Sequence, residues 1–271
     1  MNLGVRWLDD SDSQGVRERR FDLDREGRNV PGVLWTPTDA TGTRPLVLLG
    51  HGASGNKRQD YVLSTARRLA RHHGFAAAAI DGPVHGDRRS PAAADSQAVF
   101  LHFAQLWSSD EEMTDEMVAD YVATLDTLQL LDGIGAGEVG WWGLSMGTIL
   151  GLPFVAAEPR VRVAVLGLMG VAGPTRSRIQ ADARNITCPV LFLVQWDDEL
   201  FPRSTAFELF DAIGSKDKRL HASPGSHGAL SEEAFEESEG FLARYLGPGP
   251  WTSGTLPGHR MSTRAATRTG R

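Results

Sequence analysis

Ser145 stands in Gly143-Leu144-Ser145-Met146-Gly147, directly after the apolar run Val139 to Trp142 and directly before the helical run Thr148 to Ala157. A serine between glycines at a sharp strand-to-helix turn holds its hydroxyl clear of a sheet, where it can attack an electrophilic carbon. A side chain at 143 or 147 would crowd neighbouring backbone, which explains the glycines. The turn also opens a helix, whose first N–H groups and dipole favour nearby negative charge. The bland alternative is an ordinary Gly-flanked turn, since the pentapeptide also arises by chance; the strand–turn–helix setting weighs against it.

A hydroxyl is a weak nucleophile until a base takes its proton. Of the eight histidines, His72 and His73 fall at a helix end, His102 in a helical stretch, His221 in a short strand and His259 near the C-terminus. His227 differs. It lies in Ser223-Pro224-Gly225-Ser226-His227-Gly228, a loop between the strand-like Arg219 to Ala222 and a helical run from Ser231. Small neighbours leave it free to reach a serine. An acid that orients its ring should leave the end of another strand, and Val190 to Val194 runs into Asp197 and Asp198. By position alone either aspartate serves.

Gly50, Gly52 and Gly55 spell G-x-G-x-x-G after the apolar Leu46 to Leu49, and Asp81 ends the next strand where a ribose-binding acid would sit. This rival reading is a dinucleotide-binding oxidoreductase. Three features weigh against it: the loop continues Asn56-Lys57-Arg58-Gln59-Asp60 and not into an apolar helix, a hairpin precedes the supposed first strand, and Ser145, Asp198 and His227 go unexplained. A phosphate loop fails, because Asn56 separates Gly55 from Lys57 and no Ser or Thr follows the lysine.

The elements that must position these residues are visible as patterning. Residues 17 to 36 read as a hairpin turning at Glu26-Gly27-Arg28-Asn29. Short apolar runs follow at Leu46 to Leu49, Phe75 to Ile80, Val139 to Trp142, Val161 to Leu168 and Val190 to Val194. Between them lie helical segments at Tyr61 to His73, Thr114 to Leu131, Met146 to Ala157 and Arg203 to Ile213. Strands apolar on both faces suit a sheet covered on both sides. The expected fold class is therefore α/β: a mostly parallel, twisted sheet of about eight strands, with helices on both faces. Sites in such sheets lie beyond the C-terminal strand ends, where the motifs above fall.

The body from Pro45 to Tyr245, with the chain order Ser145, Asp198, His227, resembles the α/β-hydrolase fold, near its dienelactone-hydrolase and acyl-esterase branches. That resemblance implies several assignments. The acid commonly precedes a proline by four positions, which favours Asp198, four before Pro202, over Asp197. The backbone N–H groups of Met146 and of Ala53, in the loop Gly50-His51-Gly52-Ala53, would form the oxyanion hole. The loop Asp81-Gly82-Pro83-Val84-His85-Gly86-Asp87-Arg88 resembles a family loop that shapes the site rim, with His85 as a less favoured second base. The chain also departs from some branches: dienelactone hydrolases of the familiar type carry Cys, and haloalkane dehalogenases Asp, where this chain has Ser145.

The expected function is a serine hydrolase cleaving a carboxylic ester or lactone through an acyl-enzyme, without a cofactor or metal. Amide hydrolysis, carbon–carbon hydrolysis and acyl transfer would use the same triad, and a non-catalytic binding protein on this fold is a further alternative. The substrate is expected to be a small acyl compound. Residues 82–113 form an insertion whose stripe Val99, Phe103 and Leu106 either packs on the sheet or caps an acyl pocket. Candidate pocket residues are His51, His85, Phe103, Trp107 and Trp196; Trp142 reads as core.

Composition closes off other classes. At 271 residues with 41% hydrophobic and 23% charged residues, the chain reads as one globular domain over residues 1–248. The chain has no apolar run of membrane-spanning length and no secretory-type N-terminus, so a cytoplasmic protein is expected. Cys188 alone precludes an internal disulfide and reads as core. The segment 249–271 has four arginines and no acid, so residues 1–248 must carry −10 to bring the chain to −6. An acidic body argues against nucleic-acid binding, and the basic tail is expected to be disordered.

Overall fold

The computed structural model describes residues 4–39, 41–90, 95–109 and 112–247. The expected tail, 249–271, lies outside the described residues. The elements are β1 (Val5–Ser13), β2 (Val16–Arg25), β3 (Arg28–Pro37), β4 (Arg44–Gly50), α1 (Asp60–His73), β5 (Ala76–Ile80), α2 (Ser96–Ser109) and α3 (Met113–Leu128). There follow β6 (Ile134–Gly143), α4 (Met146–Ala157), β7 (Val161–Gly167), α5 (Arg176–Asn185), β8 (Val190–Gln195), α6 (Arg203–Ala212), β9 (Lys218–Ser223) and α7 (Glu232–Leu246).

All strands join one sheet in the order β1-β2-β3-β5-β4-β6-β7-β8-β9. The first three are antiparallel and β3 joins β5 antiparallel, while the other pairs are parallel. The expected eight strands become nine because β1, Val-Arg-Trp-Leu-Asp-Asp-Ser-Asp-Ser, was not legible as a strand. It is an exposed edge with no alternating apolar face, held by pairing to β2 and by ion pairs such as Arg17 with Asp10. The hairpin turn is also tighter than expected: Glu26 and Gly27 alone turn, both at positive φ (54° and 84°), and Arg28 and Asn29 already belong to β3. Positive φ at both turn residues matches the twist of the flanking strands. Helix α5 escaped the reading too, because Ile179 and Ala183 are its only buried residues.

Helices cover both faces. In β4, Leu46 and Leu48 point into the core beneath α3, α4, α5 and α6, and Val47 and Leu49 into the core beneath α1 and α7. Two-residue alternation in the strand thus feeds two apolar layers. Trp142 is fully buried in the second layer, as expected. Trp141 fills the first, where its indole lies in space left by glycine: a Cβ at Gly151 would come within 2.0 Å of the ring and one at Gly50 within 2.8 Å. Cys188 is part-buried, and burial pushes its thiol up to about 12, leaving it a poor nucleophile. None of the described helices is long and apolar enough to cross a membrane.

Candidate active site

The β6–α4 turn carries Ser145 at φ 57° and ψ −120°, a conformation unusual for a residue with a side chain. Such a backbone costs on the order of 1–3 kcal/mol and persists only where its surroundings enforce it. Here the Ser145 N–H donates to the Gly167 carbonyl at 3.0 Å. Thr148, buried in the first turn of α4, puts its Oγ1 2.8 Å from the Gly143 oxygen and 2.7 Å from the Gly167 oxygen, and accepts the Gly167 N–H at 2.9 Å. The elbow is thereby tied to β7. A Cβ on Gly147 would lie 2.4 Å from the Gly50 oxygen, and one on Gly143 2.7 Å from the Gly147 oxygen. Close backbone approach, expected from the motif, is what the glycines permit.

Folding brings the three expected residues together. Ser145 Oγ donates to His227 Nε2 at 2.9 Å, and His227 Nδ1 donates to Asp198 Oδ2 at 2.8 Å. The tautomer follows from the partners, because a carboxylate only accepts. Asp198, not Asp197, meets the ring. Its side chain is 3% exposed, and its Oδ1 accepts the N–H groups of Leu200 and Phe201 at 2.8 Å each. Asp197 is exposed. The His227 loop is held by its own N–H, which donates to Glu199 at 2.9 Å; that bond lowers the Glu199 carboxyl below its ordinary range.

Ala53 and Met146 lie beside Ser145 in a cleft, and their backbone N–H groups enter no hydrogen bond among the described residues. The Gly52 N–H does not share that freedom. It donates to the Tyr61 hydroxyl at 2.6 Å.

The expected pocket residues divide. Phe103 and Trp107 of α2 line the cleft, so the 82–113 insertion contributes to the site, with Phe100 from the same helix. His51 and His85 do not line it. His51 is buried, and its Nε2 accepts the Gly82 N–H at 2.9 Å, which leaves Nδ1 protonated to donate to the Gly52 oxygen at 2.8 Å. Burial, assisted by neighbouring His85, pushes its pKa down to about 4, so it stands neutral. His85 is equally buried, with Nδ1 2.6 Å from the Pro83 oxygen and Nε2 2.8 Å from the Ala53 oxygen. Its distance from any second-base role is set by this burial behind the loop. Trp196 lies outside the cleft: the residue is 46% exposed, with the Arg203 guanidinium 4.5 Å from its ring centroid and Phe207 against its edge. Sequence reading missed Thr148, Tyr61, Leu200 and Phe235, whose types carry no signal until the loops converge.

The rival dinucleotide loop is occupied by its own protein. Helix α1 starts at Asp60, five residues past Gly55, so its N-terminus does not open on the glycines. Asp81 is fully buried, taken by Lys57 through both the ammonium and the backbone N–H at 3.0 Å, and by the Asp87 N–H at 2.8 Å. Both of its oxygens are engaged within the protein, and the side chain has no exposed surface to offer a ribose. No group of three His, Cys, Asp or Glu suited to a metal ion occurs among the described residues.

Comparison with known proteins finds esterases and hydrolases of the same fold. A cold-adapted esterase from an Arctic intertidal metagenomic library is 40% identical, with a TM-score of 0.78 over 89% of this chain and 100% of its own. At 18% identity the likeness is of fold: an acetyl xylan esterase from Paenibacillus sp. R4 superposes with a TM-score of 0.71 over 89% of this chain and 88% of its own. A dienelactone hydrolase from Anabaena variabilis, also 18% identical, gives 0.64 over 86% and 100%. No curated protein matches. The model of the dienelactone hydrolase family matches residues 30–232, which span every residue of the Ser145–His227–Asp198 cluster. The chain is therefore an α/β-fold ester hydrolase that belongs to the dienelactone hydrolase family.

Proposed function

We propose that this chain cleaves a small carboxylic ester or lactone through an acyl-enzyme on Ser145. The observation that carries the reading is the unbroken hydrogen-bond chain from Ser145 Oγ through His227 to the buried Asp198 carboxylate, at 2.9 and 2.8 Å. Ser145 Oγ attacks the carbonyl carbon as its proton passes to His227 Nε2. The oxyanion that forms takes the N–H groups of Met146 and Ala53; a single such donor is worth about 2.7–4 kcal/mol in a water-poor site. Collapse expels the alkoxide, which takes the proton from Nε2. Water then attacks the acyl-enzyme with His227 again as base. Asp198 keeps Nδ1 protonated and stabilises the imidazolium.

The 40% identical esterase supports ester chemistry over amide or carbon–carbon cleavage. A fluorophosphonate probe is expected to add one label, at Ser145, and to abolish hydrolysis of p-nitrophenyl acetate and butyrate. An unmodified intact mass together with no turnover of either ester would overturn the proposal.

A further inference from the structure

Two apolar compartments meet at Ser145. The wider, of about 580 Å³, is bounded by Tyr61, Leu144, Leu168, His227, Leu230 and Phe235. The narrower, of about 250 Å³, is bounded by Phe103, Trp107, Met146, Ile149, Ala172 and Phe201. Ala53, Phe100, Ser145 and Leu200 border both. Among the described residues, His227 and the Tyr61 phenol are the only ionisable side chains that border either one.

The chemistry fixes which part of a substrate enters which compartment. With the carbonyl carbon on Ser145 Oγ and its oxygen between the Met146 and Ala53 N–H groups, two substituents remain to be placed. The leaving oxygen must lie within hydrogen-bond reach of His227 Nε2, which protonates it. His227 borders the wider compartment and not the narrower. Resting on the triad reading above, we propose that the wider compartment takes the alcohol portion and the narrower one the acyl chain, and that the substrate is an uncharged apolar ester.

Trp107 sets the depth of the acyl side. Its indole stacks on Phe103 with centroids 6.1 Å apart and planes 15° from parallel, and its Nε1 donates to Thr175 Oγ1 at 2.8 Å. The opposite edge lies against Gly173, where a Cβ would come within 2.3 Å of the ring. The ring is thus pinned from three sides and acts as a wall. A compartment of 250 Å³ is smaller than the roughly 300–1,000 Å³ that encloses a drug-sized ligand, whereas the wider one falls within that range. A short or medium acyl chain on a sizeable apolar or aromatic alcohol matches both. An ionised substituent on either side would lose its water with no opposite charge to meet it.

The test compares kcat/KM across two substrate series: p-nitrophenyl acetate, butyrate and octanoate for the acyl side, and methyl against benzyl butyrate for the alcohol side. In the parent protein, butyrate is expected to exceed octanoate, and p-nitrophenyl hemisuccinate to fall at least about 10-fold below butyrate. Trp107→Ala should raise the octanoate-to-butyrate ratio at least about 10-fold, and Ala172→Phe should shift preference to acetate. Both should leave the benzyl-to-methyl ratio within about 2-fold. Leu230→Trp should lower the benzyl-to-methyl ratio and leave the acyl series unchanged. Circular dichroism selects the variants that remain folded, and any one of the three suffices to decide. Ratios that move in the opposite series, or in neither, overturn the assignment while leaving the esterase reading intact. A parent protein with no ester turnover overturns both.

Discussion

His51 Nδ1 donates to the carbonyl oxygen of Gly52 at 2.8 Å, and that carbonyl shares its peptide unit with the Ala53 N–H. In a trans peptide the two groups point in opposite directions, so a donor behind the carbonyl turns the Ala53 N–H away from His51 and polarises it. Tyr61 and His85 fix the flanking groups, through the Gly52 N–H and the Ala53 oxygen. The two histidines expected at the pocket wall are instead a buried frame behind the Gly52–Ala53 peptide, whose N–H is the proposed oxyanion donor.

His51→Phe should therefore lower kcat while sparing KM. Removing an oxyanion donor outright costs about 10²–10³ in kcat; tilting one should cost about 10-fold or more. Steady-state kinetics on p-nitrophenyl butyrate check this, with rapid fluorophosphonate labelling of Ser145 expected to slow in parallel. An unchanged kcat would show that the loop holds its shape without the imidazole.

The same residue makes stability depend on pH. Its folded pKa, near 4, lies below the ordinary 6.5, so the unfolded chain binds a proton that the folded protein refuses. The stabilisation is present above pH 6.5 and is lost as pH falls from 6.5 toward 4, by up to about 3 kcal/mol at roughly 1.36 kcal/mol per pH unit. His72 and His73 are shifted in the same direction, chiefly by burial, and add to the trend. Urea midpoints at pH 7 and pH 5 should differ, and by less in His51→Phe.

The two neighbouring acids should separate sharply. Asp198→Asn leaves His227 without the acceptor that sets its tautomer, and should reduce kcat about 10⁴-fold. Asp197→Asn, at an exposed carboxylate, should change kcat by less than about 3-fold. Equal losses in both would place the acid elsewhere.

Away from the site, Asp120 is fully buried and accepts from Arg25, Arg28 and Arg88 at 2.7, 3.1 and 2.7 Å, locking α3 to the β2–β3 hairpin and the loop after β5. Asp120→Ala removes the charge that these guanidiniums share, and should destabilise the fold by about 3–5 kcal/mol. Chemical denaturation measures this, and a change below about 1 kcal/mol would mean that Glu116 or water compensates.

The sequence by itself marked the residues for nucleophilic chemistry and the scaffold that carries them. Gly143 to Gly147 between a strand and a helix, His227 among small residues and the acids after Val194 mark strand ends, and local spacing carries that information because turns and strand ends have strict conformational demands. Resemblance to a family was needed to choose Asp198 over Asp197, since both follow the same strand. Only the tertiary structure decided what surrounds the triad. Whether His51 faces a substrate or a peptide depends on how the β4 and β5 loops pack, and Gly82 and Gly52 take both of its nitrogens. Trp107 and Trp196 look alike in sequence, yet one ends in the cleft against Gly173 and the other in solvent against Arg203. Strand β1 likewise exists through its pairing with β2 and not through any pattern of its own. Contacts between residues far apart in the chain settle these points, because an imidazole or an indole has no preferred partner until packing supplies one.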